Sequence, residues 1–335
     1  MVFQKNFTPS RPKMRACVTG ATGFVGKKLV KKLLNQGFQV RVLTRDKEKS
    51  FPSEVEVINV DLISPSLNLK GVLSGMDFIF NCAGEIKDQN LMKSIHVDAI
   101  KNLIQAAQKE TLLTGKHLHW VQLSSIGVYR KSSKTGDCCK INEMSETKPL
   151  NIYESSKLES DKILTESMNN FFSYAILRPS TIVGQGMKNK SFAHLLSAIR
   201  SRFFFYIGSV DSICNYVHVD DVVDALILCA KNNKAKNQIF NLSNDCKLSD
   251  IVQKISHLKG KSPNFLCIPE KPIRFFVILF SKLVNLPLNK SRIDVLISKT
   301  RYSNRKIQHL LEYVPSKNIP DFSVEYLNMI DADDG

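Results

Sequence analysis

Apolar residues recur along the first part of the chain in two alternating patterns, one typical of buried strands and the other of amphipathic helices. The run that begins at Met14 suits a buried strand, and apolar positions from Phe24 to Leu34 recur at steps of three and four residues, which predicts one face of a helix. Further strands are predicted at Phe38–Leu43, Val55–Val60, Phe78–Phe80 and Leu118–Leu123. A helix is predicted over 91–110, with Leu91, Ile95, Ala99, Leu103 and Ala106 on one face. This alternation indicates an α/β fold with a doubly wound parallel sheet.

The amino-acid composition indicates which kinds of ligand and which cellular compartment the protein is suited to. The 335 residues carry 47 Lys and Arg against 31 Asp and Glu, a net charge of +16 that favours anionic ligands, although lysines dispersed over the surface would give the same balance. Basic residues do not alternate with aromatic ones in any run, so we predict no nucleic-acid partner. The eight cysteines form no CxxC pair, so we predict no metal site and a reducing, cytoplasmic location.

The stretch Thr19–Gly26 lies between the first predicted strand and the first helix, and it reads as a cradle for a dinucleotide. Gly20 permits a tight turn, Gly23 lets a pyrophosphate approach the backbone, and Gly26 lets the helix pack close to the sheet. The helix N-terminus then offers unpaired N–H groups to the phosphates. The candidate contacts are Gly20, Thr22, Gly23, Phe24, Val25 and Gly26. An ordinary strand-to-helix loop is the alternative.

Residues at the ends of the later strands predict the rest of the cofactor site. Arg45 follows the second strand, with Lys47 and Lys49 close by, and its positive charge suits a 2′-phosphate, so we expect NADP(H) in preference to NAD(H). Solvated loop charges are the alternative. The remaining candidates are Asp61 and Leu62 beside the adenine, and Cys82, Ala83 and Gly84 where the cofactor would pass.

Candidate catalytic residues follow the fifth predicted strand. Tyr153 and Lys157 are four residues apart, a spacing that places both on one face of a helix. An ammonium near the phenol favours phenolate, so we expect Lys157 to lower the pKa of Tyr153. Ser125 follows a neighbouring strand and is expected to donate a hydrogen bond to the same substrate oxygen. A Tyr and a Lys at this spacing on a plain helix surface are the alternative.

These three stretches together resemble the extended short-chain dehydrogenase/reductase family, whose pattern is TGxxGxxG, a Ser or Thr after the fifth strand, and YxxxK. Further matches are Leu177-Arg178-Pro179, Val183-Gly184, Tyr216–Asp221 and Ile239–Leu242. Residues 1–13 are polar and contain proline, so we predict a flexible extension there. The resemblance implies a Rossmann-type NAD(P)-binding domain over 14–179 that includes Pro179 among the cofactor contacts, and a smaller mixed α/β substrate lobe over 180–335, with some chain exchanged between the two.

Several positions depart from the family pattern. Cys214 stands where many sugar epimerases carry a diphosphate-binding Arg, so we consider Lys188, Arg202 and Arg292 as replacements. His96 stands where the family usually has Asn. Ser125 is followed by Ile126-Gly127 and not by the Asp-Glu pair of dehydratases, which disfavours elimination of water.

The resemblance implies hydride transfer at C4 of a nucleotide-diphosphate hexose, by 4-keto reduction or by C4 epimerisation, as in bacterial surface polysaccharide synthesis. Two alternatives stay open, an NADPH-dependent reductase of an apolar ketone such as a steroid or flavonoid, and a non-catalytic dinucleotide-binding interaction protein. The sequence also leaves open whether the chain forms a homodimer.

The stretch Ile273–Phe280, followed by Leu283–Leu286, is apolar and has basic neighbours at Lys271, Arg274, Lys282 and Lys290. We favour a buried helix of the C-terminal lobe, because short apolar runs usually belong to cores. Peripheral contact with an anionic membrane surface is the alternative.

Overall fold

The computed structural model describes residues 13–64, 67–129, 139–201, 204–258, 260, 262, 266–280 and 290–333. Its strands are β1 Arg15–Thr19, β2 Gln39–Thr44, β3 Val55–Asn59, β4 Phe78–Asn81, β5 Leu118–Leu123, β6 Lys140–Ile141, β7 Phe172–Pro179, β8 Thr181–Val183, β9 Tyr206–Ile207, β10 Ile213–Cys214, β11 Tyr216–His218, β12 Gln238–Leu242, β13 Cys246–Lys247, β14 Cys267–Ile268 and β15 Arg301–Tyr302. Its helices are α1 Phe24–Asn35, α2 Gln89–Lys93, α3 Ala99–Thr114, α4 Ile152–Glu166, α5 Ser191–Arg200, α6 Val219–Lys231, α7 Leu248–Leu258, α8 Glu270–Phe280, α9 Lys290–Leu296, α10 Arg305–Leu311 and α11 Ile319–Asp333. Of the predicted extension over 1–13, all but Lys13 lies outside the described residues.

A sheet of 7 parallel strands in the order β12-β7-β5-β4-β1-β2-β3 forms the centre of the molecule. The order runs outward from β1 in both directions, so a crevice opens at the carboxyl ends of β1 and β4, where the direction of winding reverses. The predicted doubly wound α/β fold is confirmed, and the four strands predicted after β1 have bounds within one residue of those observed.

Alternate side chains of β1 enter two different cores. Ala16 and Val18 belong to the cluster that contains Leu29 of α1, whereas Cys17 belongs to the cluster that contains Leu103 of α3. All three β1 side chains are fully buried. A sheet that is covered on both faces needs continuous apolar strands, which explains the unbroken run in the sequence.

The helix predicted over 91–110 is interrupted. α2 ends at Lys93, a π-helical turn covers Ser94–Asp98, and α3 then continues to Thr114. The turn buries His96 and Val97. On the predicted apolar face, Ala99 and Leu103 are buried, whereas Leu91, Ile95 and Ala106 are half-buried, so the predicted face is only partly in the core. The physical reason is that the wider π turn shifts which side chains face the core.

The chain after Pro179 contributes to two parts of the structure. β12 pairs with β7 at the edge of the central sheet, and α6 shares a core cluster with α1. α5, α7 and α11 enclose a separate core that includes Phe192, Ile251 and Phe322. The division into 14–179 and 180–335 therefore stays a prediction, with α6 and β12 as segments of the second range that pack with the first.

Helix α8 presents two different faces. Val277 is buried beside Ile293 and Ile297, in accord with a helix that packs on the C-terminal part of the molecule. Phe275, Phe276 and Leu279 are exposed, so the expected burial holds for only part of the helix. Leu283–Leu286 lie outside the described residues. Within the part of the chain that the structure describes, no helix has the length and apolar composition to cross a bilayer.

Close backbone packing joins the turn after β1 to its surroundings. Gly20 has φ +66°, and a Cβ there would lie 2.5 Å from the carbonyl carbon of Cys82. A Cβ on Gly26 would lie 2.1 Å from the carbonyl oxygen of Gly20, whereas one on Gly23 would lie 3.1 Å from that oxygen. The atoms that oppose Gly20 and Gly26 are backbone atoms, which cannot move aside as a flexible side chain can.

We therefore expect Gly26→Ala to lower the free energy of unfolding by about 3 kcal/mol, because the added methyl forces the turn away from the helix. Gly23→Ala is the matched control. Its φ of −79° suits any residue, so we expect a loss of less than about 1 kcal/mol. Urea unfolding of the two variants checks this, and equal losses would contradict the packing described here.

Candidate active site

The glycine turn between β1 and α1 leaves the start of α1 open at the crevice. Gly23 is the N-cap of α1, and no side chain caps the helix there. Thr22, Gly23 and Phe24 are half-buried, whereas Val25 and Gly26 are buried. Val25 can therefore offer a ligand only its backbone, and the N-terminal N–H groups of α1 form a site suited to an anionic group.

The end of β4 closes the other side of this crevice. The Thr19 hydroxyl donates to Asn81 Oδ1 and accepts from the Ala83 N–H at 3.3 Å. The Cys82 N–H donates to the Thr19 carbonyl at 3.3 Å, so the predicted Cys82-Ala83-Gly84 stretch lies directly beside Gly20. A Cβ at Gly84 would lie 3.6 Å from Lys157 Nζ, which links this stretch to α4.

Arg45, Asp61 and Leu62 follow the ends of β2 and β3. Arg45 and Asp61 are exposed, and the Leu62 carbonyl accepts from Asn102 Nδ2 at 2.9 Å. The pKa of the Glu85 carboxyl is lowered, chiefly by a hydrogen bond from the Lys87 N–H, and the positive charge of Arg45 contributes. Arg45 therefore acts on the same end of the crevice as the turn after β4.

Ser125 and Tyr153 meet at the carboxyl end of β5. Asn151 caps α4 by accepting from the Glu154 N–H at 2.9 Å, which places Tyr153 in the first turn of the helix. The Ser125 side chain lies beside the Tyr153 hydroxyl, close enough to favour its ionised form. One turn further along α4, Lys157 is buried and its Nζ donates to the Leu123 carbonyl at 3.0 Å. The three residues predicted from spacing thus surround one strand end.

The expected lowering of the Tyr153 pKa is wrong for this structure. Burial raises it to about 12, the neighbouring Ser125 side chain opposes the rise, and the charges of Glu154 and Asp161 add to it. Burial also lowers the pKa of Lys157 to about 8, against the charge of Asp161. The reason for both shifts is that loss of water disfavours the charged form of each group.

Sequence spacing missed a buried ionic group behind this site. Asp161 Oδ2 accepts from the Ser124 hydroxyl at 2.8 Å and from Arg178 Nε and Nη2, each at 3.0 Å. Arg178 Nη1 also donates to the Tyr129 hydroxyl at 2.9 Å. Asp161 lies one helical turn beyond Lys157, and that spacing is the signal that could have identified it. Pro179, the next residue after Arg178, ends β7 and is buried.

The basic residues considered for the substrate lie in separate elements. Lys188 is exposed in the loop after β8, Arg292 is partly exposed in α9, and Arg202 lies outside the described residues. Cys214 is buried, and it pairs in register with Cys246 across β10 and β13. Burial raises the pKa of the Cys214 thiol, so this position presents a neutral group where the resemblance led us to look for a cation.

This chain is similar, in sequence or in structure, to the following three known proteins. It is 26% identical over 281 residues to the UDP-glucose 4-epimerase of Vibrio cholerae, covering 79% of this chain and 82% of that protein. It is 25% identical over 320 residues to cinnamoyl-CoA reductase 2 of Medicago truncatula, covering 88% and 92%. Its structure superposes with a TM-score of 0.68 on a UDP-glucuronic acid 4-epimerase of Bacillus cereus in complex with UDP-glucuronic acid and NAD, at 18% identity and covering 95% and 100% of the two chains.

The model of the NAD dependent epimerase/dehydratase family matches residues 16–243, which span the glycine turn, all seven strands of the sheet, and the Ser125, Tyr153 and Lys157 cluster. The expected class, an NAD(P)-dependent enzyme of the extended short-chain dehydrogenase/reductase type, is confirmed. Because the match covers well over half of the chain, the protein belongs to the NAD dependent epimerase/dehydratase family.

Proposed function

We propose that this enzyme transfers hydride at C4 of a nucleotide-diphosphate hexose, by 4-keto reduction or by C4 epimerisation. The observation that carries the proposal is the juxtaposition of Ser125, Tyr153 and Lys157 at the strand end that adjoins the glycine crevice. A role in bacterial surface polysaccharide synthesis is the setting that we expect for such a substrate.

The crevice fits a dinucleotide. A Cβ at Gly20 would fill the space against Cys82, and the start of α1 has no side-chain cap, so the turn suits a pyrophosphate laid across backbone N–H groups. Gly20, Gly23 and the N–H groups of Phe24 to Gly26 would hold the phosphates. Cys82, Ala83, Gly84 and Pro179 would border the rest of the cofactor, which when bound supplies the hydride acceptor or donor.

Each residue of the cluster then has a distinct part. The high pKa of Tyr153 keeps its hydroxyl protonated near neutral pH, so it can donate a proton to a ketone oxygen as hydride adds to the carbon. Ser125 would hold that oxygen by a second hydrogen bond. Lys157 would bind the nicotinamide ribose, and its charge would stabilise the phenolate that proton donation leaves behind.

A second candidate, reduction of an apolar ketone, is favoured by one observation. The buried, neutral thiol of Cys214 leaves the diphosphate without the cation that the family resemblance implies at that position. Lys188, Arg292 or Arg202 would have to replace it if the substrate is a sugar nucleotide. The assembled Ser125, Tyr153 and Lys157 cluster argues against the third alternative, a non-catalytic interaction protein.

A thermal-shift panel separates the two substrate classes, since a ligand that binds only the folded state raises the melting temperature. UDP-glucose, UDP-glucuronic acid, a steroid ketone and a flavonoid ketone would each be added to the protein with reduced cofactor. We expect a rise with a sugar nucleotide. A rise with only the apolar ketones would favour the second candidate.

Replacing Tyr153 by Phe removes the proton donor and keeps the ring. With the substrate found in the panel, we expect turnover to fall by about 100-fold or more, while cofactor affinity measured by NAD(P)H fluorescence stays nearly unchanged. Ile152→Val, at the exposed neighbouring position, is the control. Retained turnover in Tyr153→Phe would remove Tyr153 from the mechanism.

The exposed Arg45 is expected to favour NADPH over NADH. A charge-assisted contact with the 2′-phosphate contributes about 1.5–3 kcal/mol, so Arg45→Asp should weaken NADPH binding roughly ten- to hundredfold and leave NADH binding equal or tighter. Lys47→Asp makes the same charge change two residues along and should have a smaller effect. Wild-type protein that binds NADH as tightly as NADPH in a fluorescence titration would contradict this role and favour an epimerase with resident NAD.

The lowered pKa of Lys157 predicts a pH-dependent stability. Between about pH 8 and 10.5 the unfolded chain holds a proton that the folded protein has lost, so the free energy of unfolding should rise with pH across this window. Lys157→Met removes the titrating group and serves as the reference. Relative to this variant, the free energy of unfolding of the wild type, measured in urea, should increase by about 2 kcal/mol between about pH 8 and 9.5. Equal pH slopes for the two proteins would show that Lys157 keeps its ordinary pKa.

A further inference from the structure

His96 lies beside the crevice, on the π-helical turn Ser94–Asp98. Its side chain is 1% exposed, and its ring packs edge-on against the Tyr153 ring with the centroids 5.5 Å apart. A Cβ at Gly84 would lie 3.2 Å from His96 Nε2. The ring therefore fills the space between the turn after β4 and the first turn of α4.

Both ring nitrogens of His96 are hydrogen-bonded, one to each of these elements. Nε2 accepts from the Glu85 N–H at 2.9 Å, so in the neutral ring the proton must be on Nδ1. Nδ1 then donates to Ser156 Oγ at 2.7 Å, and the Ser156 hydroxyl donates to the Tyr153 carbonyl at 2.9 Å. This chain of donors runs in one direction, from the Glu85 backbone to the residue that carries the phenol.

The surroundings keep this imidazole uncharged. Burial lowers the pKa of His96 to about 3, and the positive charge of Lys157 contributes to the shift. Among the residues that the structure describes, Lys157 and Tyr153 of α4 are the titratable side chains placed against the ring. The Glu85 carboxylate is turned towards the N–H groups of residues 86–88, at 2.7 to 3.2 Å, so it does not pair with the imidazole.

We propose that His96 is a positioning residue, a neutral bridge that joins the Gly84-Glu85 turn at the dinucleotide crevice to helix α4 and sets the position of the Tyr153 ring. The inference rests on the proposed function for the parts played by the crevice and by Tyr153. The bridge implies that the Gly84-Glu85 turn at the crevice and the first turn of α4 are held together. A change that makes one of these elements more mobile should therefore make the other more mobile too.

His119, in strand β5 of the central sheet, offers a matched control. It is also buried, its Nδ1 is 2.7 Å from the Ser173 hydroxyl, and its pKa is lowered to about 4, chiefly by burial. Its Nε2, however, lies 3.2 Å from the Cys229 carbonyl, which can only accept, so Nε2 carries the proton. The two histidines are thus neutral rings in opposite tautomers.

Nitrogen-15 NMR of the ligand-free protein tests the bridge without turnover. We expect His96 to be the Nδ1–H tautomer and His119 the Nε2–H tautomer, with neither titrating between about pH 5 and 9. Signals are assigned by their loss in His96→Gln and His119→Gln. An Nε2–H tautomer for His96, or titration near its ordinary pKa, would overturn the bridge.

Cofactor titration tests the coupling. His96→Ala should weaken binding of the preferred cofactor, NADH or NADPH, about tenfold, whereas His119→Ala should leave it unchanged despite a similar loss of stability. His96→Gln, whose amide oxygen can take the place of Nε2 as acceptor from Glu85, should restore most of the affinity. Ser156→Ala should weaken cofactor binding too. The double variant that carries both His96→Ala and Ser156→Ala should bind the cofactor no more weakly than His96→Ala alone, because the two residues act through one link.

The outcomes separate the two proposals. Wild-type protein that binds neither NADH nor NADPH would contradict the proposed function. Wild-type binding that His96→Ala leaves unchanged would overturn the positioning role of His96 alone, and so would fully additive losses in the double variant.

Discussion

The close approach of Gly20 to the backbone of Cys82 is the constraint on which the site depends. A side chain at Gly20 would push β1 and β4 apart at their carboxyl ends, where the sheet reverses its direction of winding. The same contact brings the Cys82-Ala83-Gly84 stretch against the start of α1 and, through Gly84, against Lys157. One backbone contact thus sets the width of the crevice and the distance from it to α4.

Burial of polar groups is the second determinant, and it acts on the chemistry. Lys157, Asp161 and Arg178 lie beneath the Ser125 and Tyr153 pair, with Asp161 paired to Arg178 and bonded to Ser124. Such a buried ion pair contributes little net stability, because desolvation offsets most of the attraction. Its effect is on geometry and on pKa values, since it holds the end of β7 against α4 while the charge of Asp161 favours the protonated form of Lys157.

Reduction and epimerisation differ physically in what happens to the cofactor. A reductase must exchange it after each turnover, whereas an epimerase returns the hydride to the same substrate and can retain it. Exchange requires the cofactor to pass the rim of the crevice. Exposed Arg45 and the turn that carries Glu85 are at that rim, and their charges interact.

Local patterns in the sequence determined five of the seven strands of the central sheet, the glycine turn and the Tyr153–Lys157 spacing, because each depends on residues near one another in the chain. The π turn at Ser94–Asp98 was not predicted, because the apolar positions from Leu91 to Ala106 also fit the regular three- and four-residue spacing of an uninterrupted α-helix. The pKa of Tyr153 was predicted in the wrong direction because spacing reveals the nearby ammonium but not the loss of water, which only packing in three dimensions decides. The pairing of Asp161 with Arg178 and the links from His96 to Glu85 and Ser156 join residues far apart in sequence, so only the tertiary structure brought them together.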